Sequence, residues 1–310
     1  MNRLEDELKD YLAMRRGLGF KLRENESALR KFIGFLQTRA AEFVTTPLAL
    51  EWAQQPQQAT QAHRARRLGM ARDFARYLSA KDPRTEIPPK DLLPGRYRRP
   101  QPHIYSADQL LRLIKGAVRL DPRDSLRPHT YGVLFGLLAV TGMRVGEVIA
   151  LKNQDIDLVQ GLLTVRQSKF NKTRILPIHP STQEKLNTYA RCRDKFVPVR
   201  LTDCFFVSRI GSGLNHSIVR HAFIQISRHI GLRGPADRLG PRIHDLRHTF
   251  AVRTLTDWYR AGIDPEQRLP LLSAYLGHAK VSDTYWYLSA VPELLGAVNT
   301  RLEHFLGDFS

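Results

Sequence analysis

Apolar residues recur at helical spacing through most of this chain. Leu29, Phe32, Ile33 and Leu36 fall three or four positions apart, which marks one face of an α-helix. A second stretch, from about Gln57 to Ala80, carries Leu68, Phe74 and Leu78. The first 80 or so residues therefore predict a small helical domain. The second stretch also holds Arg64, Arg66, Arg67, Arg72 and Arg76. At about 100° per residue these cannot share one face, so some contact solvent or other helices. Phosphate contact and simple solvation are both open for them.

The pattern changes between Asp82 and Pro102, where Pro83, Pro88, Pro89, Pro94, Pro100 and Pro102 stand among Lys90, Arg96, Arg98 and Arg99. Proline makes such a stretch extended and semi-rigid, so it predicts a linker, which the arginines let lie along a phosphate backbone. An ordinary exposed tether is the other reading. Beyond it, Ser106 starts a helix with Asp108 in the first turn and Leu110, Leu111 and Ile114 on the apolar face. A buried helix follows, Tyr131 to Val140, broken at Thr141-Gly142. Short β-branched runs, Leu162 to Val165 and Ile175 to Ile178, flank the polar segment from Ser168 to Lys172 and predict a β-hairpin. Helical signals resume near Ser181 and continue through Ser217–Ile230, His244–Trp258 and Leu269–Leu276. After Pro292, a last helix carries the stripe Leu294, Leu295, Val298, Leu302 and Phe305. The predicted fold is mainly α with one small antiparallel β-sheet. Its parts are a helical domain over 1–81, a linker over 82–102, a mixed α+β domain over 103–290 and a C-terminal segment over 291–310.

Charge narrows the partner. The 310 residues hold 48 Lys and Arg against 30 Asp and Glu, a formal charge of +18, split +8 and +10 on the two sides of residue 100. A basic excess in both halves favours one extended polyanion over a basic tail. The hydrophobic content, 42%, is that of a folded soluble protein. The two cysteines, Cys192 and Cys204, have no metal-type spacing, so neither a disulfide framework nor a zinc site is expected. Met1 to Asp10 alternates acidic and basic residues and lacks the apolar core of a signal peptide. The longest apolar run, Val133 to Val140, is too short to span a bilayer. A cytoplasmic protein with no membrane partner is expected.

Four segments carry polar groups that propensity does not explain. In Thr141-Gly142-Met143-Arg144-Val145-Gly146-Glu147, Arg144 emerges near a helix N-terminus, where a guanidinium can hold two phosphate oxygens. Glu147, three residues on, lies on the same helix face and is placed to hold it. In His244-Asp245-Leu246-Arg247-His248, His244 and Arg247 are one turn apart, which pairs a proton-transfer group with an anion holder. His244 and His248 also fit two ordinary histidines. A zinc pair is excluded, because Asp245 replaces the glutamate of zinc proteases and no third ligand is evident. The third segment is Leu276-Gly277-His278 with Thr284-Tyr285-Trp286-Tyr287, and the fourth is Lys169 at the hairpin tip.

Together these segments resemble the tyrosine recombinase family, also called phage integrases, whose catalytic set runs Arg, Lys, His-x-x-Arg, His or Trp, then Tyr. The order here is Arg144, Lys169, His244, Arg247, His278, Tyr287. Tyr287 follows His278 by nine residues, as in the family, with Tyr285 as the alternative nucleophile and Lys172 as the alternative to Lys169. The resemblance implies a SAM-like core-binding domain ahead of the catalytic domain. It also implies site-specific DNA cleavage and rejoining through a covalent 3′-phosphotyrosine, with no cofactor and no metal. Tyr287 would be the nucleophile, His244 its proton acceptor, Lys169 the acid for the 5′ oxygen, Arg144 and Arg247 the phosphate holders, and His278 a hydrogen-bond donor to phosphate. The implied partners are double-stranded DNA with inverted half-sites, a second copy on each site, a synaptic tetramer and other mobile-element recombination proteins, in the cytoplasm and nucleoid. Residues 291–310 would pack in cis or dock on a neighbouring protomer. A type IB topoisomerase and a DNA-binding protein without turnover are the rival functions.

Overall fold

Leu8, Leu12, Leu29, Phe32, Leu36, Trp52, Leu68 and Phe74 are all buried in one core, which closes the first of two units, 1–100 and 101–310. The computed structural model describes residues 3–20, 22–95, 101–166, 173–237 and 239–290. The first unit is built from α1 (Arg3–Gly17), α2 (Arg23–Thr38), α3 (Thr46–Gln54) and α4 (Gln61–Ser79). Two threonines set helix starts, since Thr45 accepts from Leu48 N–H and Thr60 from His63 N–H.

The arginines of α4 are largely spent on their own unit. Arg64 donates to the Pro56 and Gln57 carbonyls, Arg67 to the Trp52 carbonyl, and Arg72 to those of Pro88 and Pro89. The Arg67 guanidinium also lies 3.8 Å above the Trp52 ring, a cation–π contact made inside the unit. The first part of the proline-rich stretch is strapped down by the same bonds. Glu86 N–H donates to the Val44 carbonyl at 2.8 Å, and its carboxylate accepts from Thr46 N–H.

The second unit begins at α5 (Ala107–Val118), whose start is a complete capping box between Ser106 and Gln109. The buried α6 (Leu126–Thr141) ends at Gly142, in the left-handed conformation at φ 60°. A Cβ there would lie 2.5 Å from the Phe250 ring, so position 142 needs glycine for its φ and for its space. A short helix, α7 (Val145–Ile149), follows at once. Next comes the sheet of β1 (Ile156–Asp157), β2 (Leu162–Val165) and β3 (Arg174–Pro177), antiparallel in that order. Its register pairs Leu163 with Leu176 and Val165 with Arg174. Leu163, Val165 and Leu176 are buried, so alternation puts one face of the hairpin on the core. Strand β1 is too short to announce itself by periodicity.

Helices α8 (Pro180–Phe196) and α9 (His216–His229) close this core. A second buried cluster joins α10 (Ile243–Arg260), α11 (Pro265–Leu276) and α12 (Ser282–Ala290) through Ala251, Val252, Leu255, Leu269, Leu272, Leu276 and Tyr287. Among the described residues no helix is long and apolar enough to cross a membrane. Cys192 and Cys204 are free thiols.

Candidate active site

Arg144, Arg174 and His278 are delivered by the ends of elements, and the delivery is local. Because α6 stops at Gly142, the chain restarts a helix with Arg144 at the N-cap. Glu147 closes a box there, its carboxylate accepting from both the Arg144 N–H at 2.9 Å and Nη1 at 2.8 Å. The start of α10 is pinned in the same way. Asp245, fully buried, accepts from the Arg242 N–H and guanidinium, and Thr249, one turn on, accepts from Tyr105 N–H. That fixes the helix turn carrying His244, Arg247 and His248.

Three guanidiniums converge on the C-terminus of α11. Arg174 of β3 donates through Nε to the Tyr275 carbonyl at 2.8 Å, Arg247 of α10 to the Leu276 carbonyl at 2.7 Å, and Arg144 to the Gly277 carbonyl at 2.9 Å. The last carbonyls of a helix have no partner within it and carry the negative end of its dipole, so cations satisfy them. Arg247 also donates to the Gly142 carbonyl at 2.9 Å, tying the end of α6 to the end of α11. Arg174 grips Glu147 with both terminal nitrogens, at 3.1 and 2.8 Å.

The electrostatics follow from burial. Desolvation pushes the Glu147 carboxyl up, but the Arg174 fork and Arg144 outweigh it and hold the group below its ordinary range, as a carboxylate. Arg247 is only 2% exposed. Burial first, and then repulsion from Arg144, lower its guanidinium to about 10, while Tyr287 and Glu147 pull the other way. Two of its five N–H donors are committed among the described residues, one to Gly142 and one to Leu276.

On the far side, His278 leaves α11 at the left-handed Gly277, and its Nδ1 lies 2.7 Å from the Thr284 hydroxyl in the first turn of α12. Tyr287, one turn later, stacks nearly parallel to the His278 ring at 6.4 Å. The Tyr287 side chain is 1% exposed, and its hydroxyl is hydrogen-bonded to Nδ1 of the equally buried His248 at 2.9 Å. Trp286 lines the same pocket, with its ring 5.6 Å from that of His248.

Of the residues singled out in the sequence, Arg144, Glu147, Arg247, His278 and Tyr287 are thus brought into one continuous network. His244 is exposed, and its ring meets that of His248 edge-on at 4.7 Å. Tyr285, on the same helix as Tyr287, is 47% exposed. Lys169 and Lys172 lie outside the described residues, as does the segment 291–310. Three residues gain roles that the sequence did not signal: His248 on the Tyr287 hydroxyl, Thr284 on His278, and Arg174 on Glu147. Arg174 stands out in retrospect as a charge opening an apolar strand. Its partner, 27 positions earlier, is invisible to any periodicity. Among the described residues no group of three or more His, Cys, Asp or Glu could hold a metal.

The sequence pattern of the phage integrase family matches residues 105–293, a span that contains every group just described. The chain belongs to that family. A protein of Sinorhizobium fredii named as the integrase/recombinase y4rB is 46% identical over 307 residues, covering 98% of each chain. Tyrosine recombinase XerC of Azotobacter vinelandii is 30% identical over 234 residues, 76% of this chain and 71% of that one. In structure, this integrase-family chain is similar to the Tn1549 transposon integrase, solved in complex with transposon right end DNA. The TM-score is 0.65 at 15% identity, over 96% of this chain and 99% of that chain, a likeness of fold.

Proposed function

We propose that this tyrosine recombinase cleaves and rejoins DNA at specific sites through a covalent 3′-phosphotyrosine, with Tyr287 as the nucleophile. The observation that carries the assignment is the convergence of Arg144, Arg247, His278 and Tyr287, from three separate segments, around one helix end.

A phosphodiester repels nucleophiles by its own charge. Arg144 and Arg247, held by backbone carbonyls before any substrate arrives, neutralise its non-bridging oxygens as charge builds in the transition state. A preorganised donor of this kind contributes about 3 kcal/mol, roughly a hundredfold in rate. His278, oriented by Thr284, hydrogen-bonds the same phosphate. Lys169, between β2 and β3 in the sequence, protonates the departing 5′ oxygen, with Lys172 the competitor for that role. The bond energy is stored in the tyrosyl phosphate, so the returning hydroxyl reseals the strand without ATP.

The helical domain over 1–81 serves as the core-binding domain, the stretch over 82–102 leads from it to the catalytic domain, and both domains face duplex DNA carrying inverted half-sites. The basic charge of both halves supports this reading. Two copies occupy a site and four form the synaptic complex, with residues 291–310 docking on a neighbouring protomer. Other recombination proteins of a mobile element would join it, in the cytoplasm and on the nucleoid. Relaxation by a type IB topoisomerase uses the same nucleophile but is not favoured, since the relative aligned over 98% of the chain at 46% identity is named as an integrase/recombinase.

Trapping on a nicked suicide substrate tests the assignment. Wild-type protein and Tyr285→Phe should form a covalent DNA adduct, and Tyr287→Phe should form none. An adduct that persists in Tyr287→Phe and vanishes in Tyr285→Phe would overturn it.

A further inference from the structure

We propose that His248 is a further catalytic residue, the group that aims the Tyr287 hydroxyl and takes its proton during strand cleavage. The inference rests on Tyr287 being the nucleophile and goes beyond it.

The geometry is specific. Nδ1 of His248 is 2.9 Å from the Tyr287 hydroxyl, both side chains are at most 3% exposed, and the Trp286 indole packs against both rings. A hydrogen bond in so dry a setting holds the phenol in one direction, because the low local dielectric strengthens it. Arg247, the neighbour of His248 in the chain, donates to the Leu276 carbonyl at the site. One turn of α10 therefore presents the phosphate holder and the proton acceptor together.

The step balances with His248 neutral and its ring proton on Nε2. The bond from Tyr287 Oη to phosphorus forms, the bond from phosphorus to the 5′ oxygen breaks, and the phenolic proton moves to His248 Nδ1. The 5′ oxygen takes a separate proton from Lys169. Rejoining reverses each transfer, so His248 returns the proton to Oη. His244, the proton acceptor that the family resemblance implies, is exposed and touches the His248 ring edge-on, and that role passes to His248.

Single-turnover cleavage of a suicide substrate, with DNA affinity measured alongside, tests this. His248→Phe should bind DNA as wild type does and cleave at least tenfold more slowly, since a positioned base contributes roughly 10²–10⁴-fold. His248→Asn, whose amide falls near the Nδ1 position, should recover more activity than His248→Gln, whose amide falls near Nε2. A substrate with sulfur as the 5′ bridging atom needs no acid, so it should rescue Lys169→Ala but leave His248→Phe slow. Cleavage by His248→Phe within twofold of wild type, or rescue of that variant by sulfur, would each overturn the proposal. A second measurement needs no change at His248. In ¹⁵N-histidine spectra, Tyr287→Phe should move the His248 Nδ1 resonance, and an unmoved resonance also overturns it. Failure of the nucleophile assignment would show separately, as an adduct formed by Tyr287→Phe.

Discussion

Arg174 and Glu147 meet as a fork on a carboxylate, nitrogen to oxygen at 3.1 and 2.8 Å, with Arg174 side chain 11% and Glu147 9% exposed. The same carboxylate holds Arg144, so one acid keeps two guanidiniums in register beneath the helix end they serve.

Removing Glu147 should therefore cost more than one ion pair. Glu147→Ala leaves two cations close together without their counter-charge, and breaking a buried pair from one side costs about 3–5 kcal/mol. A fall in melting temperature and a loss of cleavage of tenfold or more are expected together. Unchanged melting would show that the fork does not hold the site.

The Glu147 carboxyl also sets a pH dependence. Its folded-state pKa lies below its ordinary value, so the stability it contributes is fully present above the unfolded pKa near ~4.3 and is lost as pH falls through the lower folded value. Melting temperature against pH should decline more steeply below about pH 4 in wild type than in Glu147→Gln. Parallel curves would remove Glu147 as the source.

Arg247→Lys should not restore what Arg247→Ala loses. The guanidinium reaches the Gly142 and Leu276 carbonyls with two different nitrogens, a geometry a single ammonium cannot copy. Both variants should cleave about a hundredfold more slowly. Lysine at wild-type rate would mean that only the charge matters.

Gly277→Ala combines two penalties. The residue sits at φ 68°, and an added Cβ would lie 2.7 Å from an Arg174 terminal nitrogen. The left-handed backbone alone costs about 1–2 kcal/mol, and moving Arg174 loosens Glu147 as well. A drop of several degrees in melting temperature is expected, at about 2–4 °C per kcal/mol. Gly146→Ala, where nothing lies within 4 Å, serves as the control.

Thr284→Val keeps the shape of the first turn of α12 and removes the hydroxyl on His278 Nδ1. The His278 ring then loses one of its anchors, and cleavage should fall while DNA affinity stays level. A rate within twofold of wild type would assign Thr284 to packing alone.

What could be read directly from the chain is what neighbours in sequence decide. Ser106 and Asp108 announce α5, Gly142 announces the end of α6, and the two β-branched runs announce a hairpin. The spacing of Arg144 and Glu147 already places them on one helix face. The mainly helical class with a small antiparallel sheet follows from these local rules, because capping, periodicity and turn chemistry act over a few residues. Strand β1 escaped because two residues carry no period.

The tertiary structure decided who touches whom. Glu147 meets Arg174 only because the β2–β3 register sets Arg174 at the start of its strand. The carbonyls of Tyr275, Leu276 and Gly277 collect three guanidiniums only because α11 ends where α7, β3 and α10 converge. Most of all, the packing of α10 against α12 selects among histidines one turn apart, leaving His244 exposed and setting His248 on the Tyr287 hydroxyl across 39 positions of sequence. Spacing along one helix can say that two side chains point the same way, but only burial against another helix determines which of them meets Tyr287.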